Sequence, residues 1–292
     1  MKNILSILVL ISFTLSSFSQ SQVLESLTME SKILKSTIQF SVYLPDGYET
    51  SKRQYPVVYL LNGYTGDERD WIQFGNIQRI LDKEIEKSNV TEMIVVMPDG
   101  DDRLYMNKTD GSYAYEDMFI QEFIPFVENK YRIRKEKQFR GISGLSMGGL
   151  GTLNLALKHH EIFGACAAYS SAIFAENEVL KMDQTAFDNY FGRTLTKAKG
   201  LSDKNRLTED YKAYNVLNLV ENKDAELLKS VKIYFDCGDD DFLTVGNSLL
   251  HIALKQKNIP HEYRVRDGAH TWEYWRTSLP IGLAFISKTI TR

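Results

Sequence analysis

The stretch QFRGISGLSMGGLG, from Gln138 to Gly151, contains the pattern Gly-x-Ser-x-Gly with Ser146 at its centre. Before it, Phe139–Ile142 is a short apolar run that predicts a buried strand. After it, Leu150–His160 is an apolar run that ends in Lys-His-His, which suits the C-terminal dipole of a helix. A strand that turns sharply into a helix needs glycines where side chains would collide. The stretch therefore predicts a strand, a tight turn with Ser146 at its apex, and a helix.

A serine at the apex of such a turn is exposed, which makes Ser146 the candidate nucleophile. The five-residue pattern alone also occurs in structural glycine-rich turns, so the flanking strand and helix carry the prediction. A serine hydroxyl is a weak nucleophile at neutral pH. It needs a base within hydrogen-bond reach, and that base is held in turn by an acid.

The composition of the whole chain limits the class of protein. It has 292 residues, of which 43% are hydrophobic and 25% are charged, and a formal net charge of -3. This composition is typical of a globular protein, and the length suffices for one large domain. Because the charges are nearly balanced, we expect neither nucleic acid nor an anionic membrane as a partner. The sequence leaves the oligomeric state open.

The N-terminal segment has the composition of a secretory signal peptide. It has a lysine near its start, an apolar core over residues 4–15, and small residues at a cleavage point, Ser17 and Ser19. The apolar core is too short for a stable transmembrane helix. We therefore expect residues 1–19 to be a signal peptide and residues 20–292 to be a single catalytic domain, secreted or periplasmic.

Apolar runs alternate with helical patterns along the rest of the chain. A continuous apolar run such as Tyr55–Leu61 is typical of a strand buried on both faces of a parallel sheet. The alternation predicts an α/β protein with a mostly parallel central sheet, antiparallel opening strands and helices on both faces. The polar segment Glu176–Ser230 has no strand signal, and we expect it to place helices above the sheet as a substrate cover. The predicted strands are Val23–Met29, Lys35–Leu44, Tyr55–Leu61, Met93–Met97, Phe139–Ile142, Ala165–Tyr169, Val231–Cys237 and His261–Val265, and the predicted helices outside the cover are Phe74–Lys87, Tyr115–Tyr131, Leu150–His160, Val245–Lys257 and Trp272–Lys288.

Topology selects the base from the five histidines. Reactive groups of such a sheet gather at the carboxyl ends of its strands. His270 lies in the loop that leaves the carboxyl end of the last predicted strand. The others are placed elsewhere: His159 and His160 end the helix after the serine, His251 lies inside a helix, and His261 begins the last strand. We therefore predict His270 as the general base.

The acid is expected after the strand that ends at Cys237, where Asp239, Asp240 and Asp241 follow one another. The pattern alone does not choose among these three aspartates, and Asp236, on the strand itself, is a weaker candidate. A solvated turn that begins the next helix is an alternative role for the run. A calcium site is another, although no regular ligand spacing extends beyond the run.

Acyl transfer also needs backbone N–H groups that donate to the oxyanion. The N–H of Met147 is one candidate, because it lies at the positive N-terminus of the helix after Ser146. The loop after an early strand normally supplies the second donor. Here that loop is Asn62-Gly63-Tyr64, and we predict the N–H of Tyr64 as this donor.

Several segments jointly carry a family resemblance: Val57–Tyr64, Gly66, Trp71, Tyr115–Arg132, Gly144–Gly149, Cys237–Phe242, His270–Trp272 and Trp275–Arg276. Together they resemble the esterase D-like branch of the α/β hydrolases, which includes feruloyl and acetylxylan esterases, S-formylglutathione hydrolases, tributyrin-type esterases and mycolyltransferases. The resemblance implies the α/β-hydrolase fold and a serine esterase mechanism that requires no metal or organic cofactor.

The resemblance also implies roles for particular residues. In this family the acid stands three residues after the glycine of Cys-Gly-x-x-Asp, which corresponds to Asp241. The residue after the first-loop glycine supplies an oxyanion N–H, which corresponds to Tyr64. The family often has a histidine before that glycine, whereas this chain has Asn62, a difference that bears on the geometry of the loop.

Aromatic residues predicted near the site, Tyr64, Tyr105 and Trp272, are candidates for stacking on a sugar or a phenolic acid, with loop packing as the alternative. An exported enzyme is expected to meet esters outside the cell, unlike formylglutathione, a cytoplasmic substrate. The leading hypothesis is therefore a secreted carboxylesterase for feruloyl or acetyl esters of plant polysaccharides.

Three alternatives accompany this hypothesis. A siderophore-ester hydrolase is expected to have a cationic pocket, for which Arg103 is the one loop arginine we identify. A catalytically silent carbohydrate-binding protein is disfavoured by the complete set of triad residues, and a peptidase by the lack of room for a propeller or large cap.

A disulfide between Cys166 and Cys237, both on predicted core strands, stays open, since neighbouring strands would permit it.

Overall fold

The computed structural model describes residues 20–290, so the predicted signal peptide lies outside the described residues. The strands are β1 Gln22–Ser31, β2 Ser36–Leu44, β3 Val57–Leu61, β4 Ile94–Pro98, β5 Arg140–Leu145, β6 Ala165–Tyr169, β7 Lys232–Gly238 and β8 His261–Arg266. They form a sheet in the order β1-β2-β4-β3-β5-β6-β7-β8. β2 pairs antiparallel with β1 and β4, and the remaining neighbours are parallel.

The helices are α1 Asp70–Gln73, α2 Ile77–Glu86, α3 Tyr115–Met118, α4 Ile124–Lys130, α5 Met147–Lys158, α6 Glu176–Lys181, α7 Gln184–Thr194, α8 Glu209–Tyr214, α9 Val216–Asn222, α10 Ala225–Lys229, α11 Thr244–Gln256 and α12 Trp272–Ile290. A π-helical turn, Phe119–Phe123, joins α3 to α4. Within residues 20–290 we find no helix with the length and apolar character needed to cross a membrane.

The central strands are buried on both faces, as their continuous apolar runs predict. Side chains of β3 alternate between two apolar clusters: Val57 and Tyr59 belong to one, and Val58 and Leu60 to the other. α5 packs in the first cluster and α12 in the second, so helices cover both faces of the sheet. This arrangement and the antiparallel β2 confirm the predicted α/β-hydrolase fold.

The segment predicted as one helix, Phe74–Lys87, differs in detail. α1 ends at Gln73, and α2 begins only at Ile77. Asn76, between them, has a φ of 53°, which is left-handed and interrupts the helix. In the predicted cover, Glu176–Ser230, the structure has the short helices α6 to α10 and no strand, as predicted.

The two cysteines are free and buried. β6 and β7 are neighbours, but Cys166 lies opposite Ile233, four residues before Cys237. Four residues of strand span about 13 Å, and a disulfide requires Cα atoms within about 7 Å. The register of the two strands therefore excludes the disulfide that the sequence left open.

Candidate active site

The turn between β5 and α5 holds Ser146 in a strained conformation. Its φ of 52° and ψ of -116° lie outside the favoured regions for a residue with a side chain. The backbone around it is tightly packed, because a Cβ on Gly148 would lie 2.5 Å from the carbonyl oxygen of Asn62. A Cβ on Gly144 would lie 2.6 Å from the carbonyl oxygen of Gly148. Both positions of the Gly-x-Ser-x-Gly pattern therefore require glycine.

The side chains of Ser146, His270 and Asp241 form a continuous hydrogen-bonded chain. The Ser146 Oγ lies 3.0 Å from His270 Nε2. His270 Nδ1 lies 2.9 Å from Oδ2 and 3.1 Å from Oδ1 of Asp241. These distances allow the imidazole to accept the serine proton while Nδ1–H donates to the carboxylate.

Asp241 is ionised in an almost closed environment, with 4% of its surface exposed. Burial alone would raise the pKa of Asp241, but hydrogen bonds from His270, the backbone N–H of Leu243 and the hydroxyl of Ser170 outweigh it and lower the pKa below its usual value. A carboxylate held in this way keeps the imidazole in one orientation and one tautomer.

The other aspartates of the run have different partners. Asp239 accepts a hydrogen bond from the N–H of Gly268 at 3.0 Å and is exposed, as is Asp240. Asp236 is buried on β7, where it accepts hydrogen bonds from Tyr234 and Arg266. The structure thus brings Asp241, and none of the alternatives, to the histidine. No group of three or more His, Cys, Asp or Glu side chains suited to a metal ion occurs within residues 20–290.

The remaining histidines lie away from the serine. His159 lies 2.9 Å from Glu116 at the end of α5. His251 and His261 lie 2.8 Å apart, ring nitrogen to ring nitrogen, where α11 packs on the start of β8. The contacts of His159, His251 and His261 are therefore structural, as topology predicts.

The two candidate oxyanion donors come from segments next to Ser146. Met147 is the first residue of α5, so its N–H belongs to the helix terminus that has no intrahelical acceptor. Gly63 packs against the serine, since a Cβ on Gly63 would lie 3.7 Å from the Ser146 Cβ. The N–H of Tyr64, the next residue, therefore belongs to the loop segment beside the nucleophile.

Asn62 fixes this loop from below. It is buried, its Nδ2 donates to the carbonyl oxygen of Gly63 at 3.0 Å, and its Oδ1 accepts from the N–H of Gly100 at 3.1 Å. The hydroxyl of Tyr105 also donates to Asn62 Oδ1. The Asn62 side chain therefore links the loop after β3 to the loop after β4.

The prediction that Tyr105 contacts substrate is wrong. Its side chain is 1% exposed, packs on Tyr115 and Gly151, and is absent from the lining of the cavity beside Ser146. A loop aromatic can point into the core as easily as into a cavity, and the sequence does not reveal this direction. Tyr105 therefore supports Asn62 instead of touching the substrate.

A cavity of about 860 Å³ opens beside Ser146 and His270. Both other aromatic candidates, Tyr64 and Trp272, line it. The sequence missed six further large lining residues, which come from the loops after α1, β6 and β7, from the predicted cover and from α12. They are Phe74, Phe174, Met182, Tyr190, Phe242 and Trp275.

Two of the missed aromatic residues hold the histidine. The ring of Trp275 meets the His270 ring edge-on, with centroids 4.9 Å apart. Phe242 packs on the other side at 4.7 Å. Phe242 follows Asp241 directly in the sequence, and this position could have predicted its contact with His270. Ser170 accepts a hydrogen bond from the Trp275 indole, and no sequence signal pointed to it.

Arg103, the residue on which a cationic pocket would depend, lies away from the cavity lining. Its guanidinium stacks over Tyr113 at 4.7 Å and lies 3.7 Å from Asp101. Among the described residues that line the cavity there is no lysine or arginine.

Comparison with known proteins shows which proteins this chain is similar to. The model of the family described as "Putative esterase" matches residues 31–286. An acetyl esterase of Caldicellulosiruptor saccharolyticus is 29% identical over 268 residues, which cover 88% of this chain and 95% of that protein. A solved ferulic acid esterase is 32% identical and superposes with a TM-score of 0.78 over 93% of this chain and 99% of its own. An S-formylglutathione hydrolase from Staphylococcus aureus, 22% identical, shares the fold with a TM-score of 0.71 over 92% of this chain and all (100%) of its own.

The family model covers most of the chain, and the similar ferulic acid esterase is matched over nearly its whole length. The chain therefore belongs to the putative esterase family and is a carboxylic ester hydrolase.

Proposed function

We propose that the protein is a secreted serine carboxylesterase that hydrolyses feruloyl or acetyl esters of plant polysaccharides through an acyl-enzyme. The observation that carries the proposal is the chain of hydrogen bonds from Ser146 through His270 to Asp241 at the edge of an apolar cavity. Residues 20–292 form a single catalytic domain in this proposal, after a signal peptide of residues 1–19.

The reaction proceeds in two steps with the same base. The Ser146 Oγ attacks the ester carbonyl carbon while His270 Nε2 takes the hydroxyl proton, and the carbonyl oxygen becomes an oxyanion that accepts hydrogen bonds from the N–H groups of Met147 and Tyr64. The tetrahedral intermediate collapses, the bond to the alcohol oxygen breaks, and His270 gives its proton to the departing alcohol. His270 then takes a proton from water, whose oxygen attacks the acyl carbon and forms a second tetrahedral intermediate. When this intermediate collapses, the bond from the acyl carbon to Ser146 Oγ breaks, His270 returns its proton to that oxygen, and the acid is released.

The shape and chemistry of the cavity support esters with an apolar or aromatic part. Its lining is mainly aromatic and apolar, and Trp272 and Phe74 form an extended ring surface, 5.7 Å between centroids. Two similar proteins are named for acetyl and ferulic acid esters. These observations favour acetyl and feruloyl groups as the substrates.

Two alternative functions are less consistent with the site. A catecholate siderophore is anionic, and the described lining residues offer it no lysine or arginine. A silent carbohydrate-binding protein has no need of a triad with hydrogen-bond distances of 3.0 and 2.9 Å. Both alternatives are therefore secondary to ester hydrolysis.

The test is release of free acid from a panel of esters by wild type and Ser146→Ala. The panel contains p-nitrophenyl acetate, p-nitrophenyl butyrate, methyl ferulate, acetylated xylan and a catecholate triester. Wild type is expected to hydrolyse acetyl or feruloyl esters, and Ser146→Ala to lose several orders of magnitude in rate. A wild type that hydrolyses none of them, or prefers the catecholate triester, contradicts the proposal.

A further inference from the structure

The polar groups of the cavity wall are mostly engaged with other parts of the protein. The Tyr64 hydroxyl donates to the carbonyl oxygen of Asn189 at 3.1 Å. The Tyr190 hydroxyl lies 3.0 Å from that of Tyr214. Polar side chains that already have hydrogen-bond partners are poor candidates for hydrogen bonding to a polar group of the substrate.

Asp70 differs from the rest of the lining. Among the described residues that line the cavity, it is the one that carries a carboxylate. The carboxylate lies against Gly66 in the loop that follows β3, since a Cβ on Gly66 would clash with Asp70 Oδ2. It is therefore held beside the segment that contains Gly63 and Tyr64.

The carboxylate of Asp70 differs from most buried carboxylates of this protein in its partners. In the described part of the chain no Lys, Arg or His forms an ion pair with Asp70, and the neighbouring Arg69 is occupied by Asp67. Burial raises the pKa of Asp70, against the effect of a hydrogen bond from the Asp67 backbone. The group is therefore a hydrogen-bond acceptor with spare capacity in an apolar cavity.

An aromatic wall adjoins this acceptor. Trp71, next to Asp70 on α1, packs perpendicular to Trp272 with ring centroids 5.3 Å apart. Phe74 packs on the same Trp272 ring and is 50% exposed. A flat ring that stacks on Phe74 and Trp272 would present its substituents at the end of the cavity where Asp70 lies.

We propose that Asp70 is a specificity-determining residue, which accepts a hydrogen bond from a hydroxyl on a substrate ring stacked against Phe74 and Trp272. This inference rests on the proposed function and assigns it a substrate class, esters that carry a ring hydroxyl. Two sources share this chemistry: a phenolic hydroxyl in the acyl group, and a sugar hydroxyl in the alcohol.

The physical basis is discrimination by an acceptor with spare capacity. A substrate without the hydroxyl covers Asp70 with apolar surface and leaves the partly desolvated carboxylate with only the hydrogen bond from the Asp67 backbone, which costs binding free energy. A substrate with the hydroxyl replaces the lost water by a charge-assisted hydrogen bond. The expected preference for hydroxylated substrates is about 10- to 100-fold in kcat/KM.

The experiment compares two pairs of esters that differ only in hydroxyl donors. The acyl pair is methyl ferulate and methyl 3,4-dimethoxycinnamate. The alcohol pair is a monoacetylated methyl xyloside and its counterpart with the free hydroxyls methylated. The ratio of kcat/KM within each pair is measured for wild type, Asp70→Ala and Asp70→Asn.

Glu273→Gln is the matched control, because it removes an exposed carboxylate next to Trp272 that does not line the cavity. In wild type and this control we expect a ratio of about 10 to 100 in one pair. Asp70→Ala should bring that ratio to about 1, and Asp70→Asn to an intermediate value, because an amide oxygen still accepts. If Asp70→Ala abolishes the preference within the acyl pair, Asp70 binds a phenolic hydroxyl. If it abolishes the preference within the alcohol pair, Asp70 binds a sugar hydroxyl.

A binding measurement separates this inference from the proposed function. In the Ser146→Ala background, which lacks the nucleophile, calorimetry with methyl ferulate and with the xyloside ester should show about tenfold weaker binding of one of them when Asp70→Ala is added. Ratios that stay unchanged in Asp70→Ala, or that fall equally in Glu273→Gln, overturn the role of Asp70 even if ester hydrolysis stands. A wild type without esterase activity overturns the proposed function, and the binding result still decides on Asp70.

Discussion

The indole N–H of Trp275 donates to the hydroxyl of Ser170 at 3.1 Å, immediately behind the catalytic acid proposed here. Ser170 is fully buried, and its hydroxyl hydrogen in turn lowers the pKa of Asp241. The same Trp275 ring packs edge-on against His270. One tryptophan therefore constrains both the acid, through Ser170, and the base, by direct contact.

Ser170→Ala should remove one of the hydrogen bonds that keep Asp241 ionised. Because that hydrogen bond lowers the pKa of Asp241, its loss raises this pKa, so the activity of Ser170→Ala relative to wild type should fall further as the pH is lowered toward the range in which Asp241 takes up a proton. We expect about a tenfold loss of kcat/KM at neutral pH. The measurement is a pH profile with p-nitrophenyl acetate. Ser170→Cys keeps a weaker donor of similar size and should give an intermediate profile, whereas an unchanged profile in Ser170→Ala contradicts the positioning role.

Asn62→Ala should loosen the loop that carries the oxyanion donor Tyr64. The change leaves the N–H of Gly100 without its buried acceptor and leaves the Tyr105 hydroxyl with only the Asn62 carbonyl oxygen, 3.2 Å away, at a cost of about 2 kcal/mol in the free energy of unfolding. We also expect kcat to fall more than KM rises, since the oxyanion contact is made in the transition state. Urea unfolding and steady-state kinetics measure the two effects.

Tyr105→Phe is the companion variant, because it removes the hydroxyl and keeps the packing. It should lower stability by about 1 kcal/mol and leave the order of preference among ester substrates unchanged. A change in that order would show that Tyr105 touches the substrate after all.

Gly148→Ala should disrupt the nucleophile turn. The new methyl group would lie 2.5 Å from the carbonyl oxygen of Asn62 and 2.6 Å from that of Leu61. Backbone atoms cannot move aside as a flexible side chain can, so we expect at least about 100-fold loss of activity. Gly200→Ala is the control, since nothing lies within 4 Å of its Cβ position and its φ of 79° adds only local strain. Equal activity in the two variants contradicts the packing argument.

Asp99 should make the protein less stable as the pH rises. Burial raises the pKa of Asp99 from 3.8 to about 6, against the effect of a hydrogen bond from the Asp101 backbone and with smaller contributions from nearby carboxylates. The folded state therefore binds this proton more tightly than the unfolded chain, and the stability that Asp99 contributes falls between about pH 4 and pH 6.

Asp99→Asn removes the charge and keeps an oxygen for the N–H of Asp101. It should raise the free energy of unfolding by about 1 kcal/mol at pH 8, a figure reduced because the carboxyl is partly exposed. Little gain is expected at pH 4, so urea unfolding at the two pH values provides its own control. A gain of equal size at both would show that the charge of Asp99 is not the cause.

Much of the fold could be predicted because its signals are local. Strands such as β3 and β6 are short continuous apolar runs, and a strand buried on both faces leaves little alternative. The break between α1 and α2 could not be predicted, since Asn76 adopts a left-handed conformation that its residue type permits but does not require. The short helices of the cover give too few turns for a clear period.

The site shows the same division. Chain order selects His270 among five histidines because the sheet fixes where each strand ends. Asp241 could not be separated from Asp239 and Asp240 by residue type, since all three carry the same side chain, and only the family pattern singled it out. The cavity residues Met182 and Tyr190 come from the cover, so their placement depends on tertiary packing that no local pattern records.

The central claim is that Ser146 becomes acylated during turnover. The most direct measurement is mass spectrometry of protein quenched rapidly during hydrolysis of p-nitrophenyl acetate, with the modified peptide sequenced. The account predicts an acetyl group on the peptide that contains Ser146 in wild type and no acetylated peptide in Ser146→Ala, which should also be inactive. Hydrolysis at the wild-type rate by Ser146→Ala, or an acetyl group on a different residue required for turnover, would contradict it.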